Sequence, residues 1–203
     1  MKQLQKRLVI DTATHARYVG LFEGDRSIEE VYEPGHNHHS ETLIPTIEAL
    51  CKQCAFALAD VDQIIVGIGP GSYTGVRIGV TVAKMFGWTL SIPVYAISSL
   101  ALMASAHIVN DVVVPTIDAR RGNTFLGVYT LANNQLVALE DDQYTALEAF
   151  RQSHQAYRYV SEGKPNPPLI FQSPLLKAVD NIHELAPHYL RKTEAERNLE
   201  AKP

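Results

Sequence analysis

The sequence predicts an α/β protein whose first half runs βββαβαβα and whose second half repeats that order in shortened form. Three observations carry this. Three short apolar runs stand so close together at the start that only hairpin links can join them. Two stretches of helical apolar periodicity then alternate with buried apolar runs, the pattern of crossover connections between parallel strands. From residue 111 the chain begins a second set of closely spaced strands followed by a helix.

The elements follow in order. Residues 8–11, 18–22 and 27–32 read as an antiparallel meander. Pro34-Gly35 is a turn signal and a His-rich stretch follows it. Ser40 can cap the next helix, with Glu41 and Pro45 suited to its first turns, and apolar spacing carries that helix to about residue 58. Residues 64–68 are a buried strand, 74–90 a helix and 93–97 a strand, after which Ser98 or Ser99 caps a helix to about residue 109. In the second half, 112–118, 125–131 and 136–140 read as strands, 146–155 as a helix and 157–161 as a short strand. Three prolines make 163–168 a loop, and 174–185 reads as a short helix. The expected division is a unit over 1–110, a shorter one over 111–191, and a charged tail over 192–203 expected to be disordered. A βββαβ unit extended by crossover helices is the ribonuclease-H-like order, and its duplication is the architecture of the actin-like (ASKHA) superfamily. Topology alone says little about function.

Composition narrows the classes of function. The chain has 203 residues, 46% hydrophobic and 20% charged, enough to build a core. A formal net charge of −4 leaves no basic excess with which the whole chain could neutralise a phosphate backbone. No secretory core follows the polar N-terminus and the apolar runs are short of a membrane span, so the expectation is cytoplasmic. Cys51 and Cys54 form one C-x-x-C without a second pair, and both fall on an apolar helical stripe. They read as ordinary thiols.

The strongest local signal is residues 69–79, GPGSYTGVRIG, between a buried strand and a helix. Gly69, Gly71 and Gly75 permit a sharp turn and close approach. The helix start offers free amides, Thr74 a hydroxyl and Arg77 a cation, which together could cradle a phosphate. The same glycines could equally serve helix packing. No Lys-Ser/Thr follows, so this is no Walker A loop. Asp11 ends the first strand, where an actin-like fold faces its cleft and a carboxylate can hold a hydrated metal. The hairpin after it, Ala13 to Arg17, lacks the glycines that let phosphate approach. Asp118 mirrors Asp11 in the second half, ahead of Arg120 and Arg121. His36, His38 and His39 are a dense cluster that reads better as solvated loop histidines than as metal ligands.

Taken together, IDTAT at 10–14, HSE at 39–41 with LIP at 43–45, the 69–79 loop with Ala83-Lys84, IDARR at 117–121, and PHYLR at 187–191 with EAE at 194–196 resemble the TsaB (YeaZ) family in order and over most of the chain. The resemblance implies a non-catalytic subunit of the machinery that makes threonylcarbamoyladenosine beside the tRNA anticodon. It implies TsaD as catalytic partner, TsaE as a third component, a homodimer when TsaD is absent, tRNA contact only through the complex, and no cofactor. The pairing surface would lie on the first two helices, with His39, Leu43, Ile47, Tyr73, Val76, Val80, Ala83 and Lys84 as candidates. The metal-binding histidine pair of TsaD falls here on Ala96 and Leu100, which cannot bind metal. The second half is shorter than the family pattern. The alternatives are a small actin-like ATPase or kinase using Asp11, Asp118 and the Gly69 to Gly75 loop, and, behind it, a peptidase.

Overall fold

The computed structural model describes residues 4–33 and 39–191; His36, His38 and the tail 192–203 lie outside it. The predicted meander forms as β1 (Lys6–Asp11), β2 (Arg17–Glu23) and β3 (Arg26–Glu33), each antiparallel to the next. Strands β4 (Gln63–Gly67) and β5 (Val94–Ile97) join in parallel through the crossover helices α1 (His39–Gln53) and α2 (Tyr73–Thr89). Strand alternation then sorts the core. Leu8, Ile10, Val19 and Leu21 point to the face covered by α1 and α2. Val9, Tyr18 and Phe22 point to the opposite face, where helix α3 (Ser99–Ser105) packs.

A second sheet holds β6 (Val113–Asp118), β7 (Asn123–Ala132), β8 (Gln135–Ala146) and β9 (Arg158–Val160), with β9 parallel to β6. Helix α4 (Leu147–Ser153) covers it through Phe150. Every residue of α3 is buried, because α3 is shared: Leu100, Ala101, Leu102 and Ala104 meet Val113, Tyr129 and Leu136 of the second sheet.

Three sequence expectations are corrected. Helix α1 stops at Gln53 rather than near 58, because Ala55 turns left-handed at φ 50°. The amides of Phe56 and Ala55 close back on the Cys51 and Lys52 carbonyls at 2.8 and 3.3 Å, a Schellman cap that drops Phe56 into the core. Cys51 and Cys54 sit half-buried in this cap as free thiols. Helix α3 ends at Ser105, short of 109. No helix spans 174–185. Instead β10 (Lys177–Ala178) pairs antiparallel with the open edge of β5, and a 3₁₀ turn follows at Ile182–Glu184. Val179, Ile182 and Leu185 all pack on the first core at a three-residue spacing that imitates a helix. Within the stretch assigned by sequence to the second unit, Lys177 and Ala178 thus add the edge strand of the first sheet, whose order is β10-β5-β4-β1-β2-β3, and Val179, Ile182 and Leu185 pack on its core.

Candidate functional site

The glycine loop lies against the end of β1. Ser72 caps α2 by accepting the Gly75 amide on its hydroxyl at 3.2 Å, and its own amide donates to the Ala13 carbonyl at 2.7 Å. Thr12 is threaded between loop and helix: its hydroxyl donates to the Gly75 carbonyl at 2.7 Å and accepts the Gly79 amide at 3.1 Å. The Gly69 amide donates to the Ser99 hydroxyl at 3.1 Å, and the Ser99 amide returns to the Gly69 carbonyl at 2.9 Å. The glycines are needed for this approach. A Cβ on Gly71 would lie 2.2 Å from the Ala13 carbonyl oxygen, and one on Gly75 would lie 2.1 Å from that of Thr12. The Gly69, Ser72, Gly75 and Gly79 amides are therefore already bonded within the chain.

Asp11 is buried beneath this contact. Its Oδ1 accepts the Ala13 amide and the Ser99 hydroxyl, each at 3.0 Å. Burial outweighs these donors and pushes the carboxyl up to about 6. The neighbouring Ser98 caps α3 and also donates to Asp142 of β8 at 2.5 Å, while the Tyr129 hydroxyl donates to the other Asp142 oxygen. Burial raises the Asp142 carboxyl as well. Consecutive serines thus anchor a buried carboxylate from the first sheet and a half-buried one from the second. Nothing in the sequence marked Asp142 or Tyr129, since their partner lies in a cap forty-four residues away from Asp142.

Asp118 is exposed on the second sheet, and its Oδ1 accepts the Arg120 amide of its own turn at 2.9 Å. Among the described residues no group of three or more His, Cys, Asp and Glu side chains is gathered closely enough to hold a metal ion. Ala96 lies in β5, and Leu100 is fully buried in α3.

The expected pairing residues divide. Leu43, Ile47, Val76, Val80 and Ala83 are all buried in the chain's own core, so none of them presents a surface. The most apolar stripe of each helix faces inward because it covers the sheet. Lys84 is tied down, donating to the His183 and Leu185 carbonyls at 2.6 and 3.3 Å. His39 opens α1, and its side chain is outside the described residues. Tyr73 is exposed and carries Arg77, whose Nη1 donates to the Tyr73 hydroxyl at 3.0 Å. Thr74 and Arg77 line a groove of about 480 Å³ with Ser40, Tyr73, Ile78, Thr81 and Val82. Farther along α2 stand Met85 and Trp88, the latter 65% exposed. The signal for them was a second stripe at 73, 77, 81, 85 and 88, opposite the core stripe.

Fold and site define an actin-like α/β chain whose glycine loop is packed against the end of β1. A family model described as TsaD, tRNA N6-adenosine threonylcarbamoyltransferase, matches residues 33–184. The chain is 39% identical to the tRNA threonylcarbamoyladenosine biosynthesis protein TsaB of Bacillus subtilis, over 69% of this chain and 62% of that protein. It is 32% identical to the Escherichia coli protein of the same description, over 63% of this chain and 56% of that one. The chain therefore matches a little over half the length of these curated relatives. An uncharacterised Mycobacterium tuberculosis protein is 31% identical over 95% of both chains. Among solved structures, YeaZ from Pseudomonas aeruginosa superposes with a TM-score of 0.76 at 24% identity, covering 92% of this chain and all of that one. The chain belongs to the TsaB (YeaZ) family. No helix among the described residues is long and apolar enough to cross a membrane.

Proposed function

We propose that this chain is a non-catalytic scaffold of tRNA threonylcarbamoyladenosine synthesis, which pairs with TsaD and supports threonylcarbamoyl transfer to the adenosine beside the anticodon, with TsaE as a third component. The observation that carries this reading is the closed loop. The Ser72, Gly75 and Gly79 amides are bonded to Ala13, Ser72 and Thr12, and the backbone carbonyls of Thr12 and Ala13 fill the space against the glycines. A chain that commits these amides to its own packing offers a phosphate a weaker cradle than an open loop would. Three of its exposed apolar side chains instead lie on α2, where Tyr73, Met85 and Trp88 offer an anchor surface beside the groove. The same surface would pair two copies when TsaD is absent.

Co-expression with TsaD tests this. The two chains are expected to co-purify, and Met85→Asp with Trp88→Asp is expected to separate them while leaving each folded. The purified chain alone is expected to show no ATP turnover that Asp11→Ala abolishes. Such turnover would favour the ATPase reading with Asp11 and Asp118. A failure to co-purify would remove the scaffold reading.

A further inference from the structure

Residues 181–191 run along α2 from its far end to its start. His183 meets the Trp88 ring, Lys84 holds the Leu185 carbonyl, and Tyr189 stacks on Tyr73 at 4.8 Å between centroids. The run then reaches the β6–β7 turn, where Arg191 Nη1 donates to the Ala119 carbonyl at 3.0 Å and the guanidinium lies 5.4 Å from the Tyr144 ring centre. This places Arg191 beside Arg120 and Arg121.

The turn itself is unusual. Arg120, Arg121 and Gly122 are consecutive left-handed residues, with φ of 68°, 57° and 76°. Only glycine holds such a backbone without penalty, and asparagine is the common substitute. The β7–β8 hairpin follows that rule with Asn133 and Asn134 at φ of 51° and 62°. The β6–β7 turn instead spends the same conformation on two arginines, both exposed. Strain kept in place by hydrogen bonds is a pointer to function. Here the Asp118 carboxylate, the Asn123 amide and the Leu147 amide fix the turn.

Among the described residues none of the three arginines is ion-paired. The nearby carboxylate Asp118 has Oδ1 engaged by the Arg120 amide. The result is a local cationic point on a chain of net charge −4, flanked by Tyr144 and the exposed Tyr189 ring. Of the exposed apolar side chains on and just after α2, Tyr73 stands at this end of the helix, whereas Met85, Trp88 and Leu90 lie at the other.

We infer that the β6–β7 turn, through Arg120, Arg121 and Arg191, contacts the phosphodiester backbone of the RNA substrate while the chain is paired with its catalytic partner. The inference rests on the scaffold reading. Arginine suits the task because its planar fork stays charged and binds phosphate oxygens in pairs. Such contacts position RNA without reading its sequence.

The test is Arg120→Gly with Arg121→Gly in the complex with TsaD, titrated with unmodified tRNA at several salt concentrations. Glycine removes both charges and relieves the left-handed backbone. The variant is therefore expected to melt at an unchanged or higher temperature and to co-elute with TsaD. Its affinity for tRNA at 0.1 M salt is expected to fall about tenfold, with the slope of log K against log salt shallower by about 1.5. Arg120→Lys with Arg121→Lys is expected to keep the salt slope. Unchanged affinity and slope in the glycine variant would overturn the inference. Loss of pairing in that variant would also overturn it, making the turn a protein contact. If the unaltered chain does not pair with TsaD, the scaffold reading fails first and visibly, and the inference falls with it.

Discussion

Gly75→Ala puts the closed loop to a quantitative test. The new Cβ would sit 2.1 Å from the Thr12 carbonyl oxygen, a backbone atom that cannot rotate away. Contact needs about 3.2 Å, so α2 and the β1 end must part by about 1 Å. Overpacking of this kind costs about 1–3 kcal/mol. The same displacement stretches the Thr12 hydroxyl's bonds to the Gly75 carbonyl and Gly79 amide. Two buried hydrogen bonds are worth about 2 kcal/mol together. Alanine's helix preference over glycine returns about 1 kcal/mol. The net expectation is a loss of about 2–4 kcal/mol, a large part of a typical stability of about 5–15 kcal/mol. For a chain of this size that lowers Tm by about 5–15 °C, readable by calorimetry or by circular dichroism with a urea series. Gly122→Ala is the control. Nothing lies within 4 Å of its Cβ, and only the φ of 76° opposes it, so about 1 kcal/mol is expected. A Gly75→Ala protein as stable as the parent would refute the packing argument, and with it the claim that the glycines serve the close approach of loop and strand end.

Three further outcomes follow. Val80→Asp buries a charge in the first core and is expected to leave little folded protein, whereas Trp88→Asp is expected to keep Tm within about 2 °C and lose only partner binding in a pull-down. Asp11 ionises at about 6 when folded against an ordinary 3.8, so the folded state binds the extra proton; its contribution is fully present below about pH 4 and is lost as pH rises through about 6. Asp11→Asn keeps the acceptor for Ala13 and Ser99, and is expected to raise stability at pH 7 by up to about 3 kcal/mol and to flatten the pH dependence in urea titrations between pH 4 and 7. Ser98→Ala takes one donor from the half-buried Asp142 and the cap from α3, and is expected to cost about 1–3 kcal/mol by the same titration.

The meander, the two crossovers and α2 were legible because each is announced locally, by alternation, periodicity and the Gly69-Pro70-Gly71 turn. The family was legible because its short motifs keep their order along the chain. The loop was visible as a glycine site, but its use was not, since the groups that occupy its amides come from Thr12 and Ala13, some sixty residues earlier, and from Ser99, thirty later. Five of the pairing candidates are buried for a related reason. Val76, Val80 and Ala83 make the most apolar stripe of α2, and the sheet takes that stripe for itself. The orientation of the helix shows that the second stripe, with Tyr73, Met85 and Trp88, is the one left outside. The strand β10 could not be read from two residues, Lys177 and Ala178, whose pairing is decided by an edge eighty residues away.

That edge has a consequence for how the chain comes into being. Synthesis proceeds from the N-terminus, so β5 emerges well before residues 177–191 exist. Until they arrive, β5 keeps a bare edge, the first core lacks Val179, Ile182 and Leu185, and the Lys84 ammonium lacks its two carbonyls. The half of the molecule made first is thus sealed by some of the residues made later. A ribosome-bound fragment ending before residue 177 should stay open to proteases and to strand-pairing partners, and the slow, long-range closure of β10 on β5 should mark the end of folding.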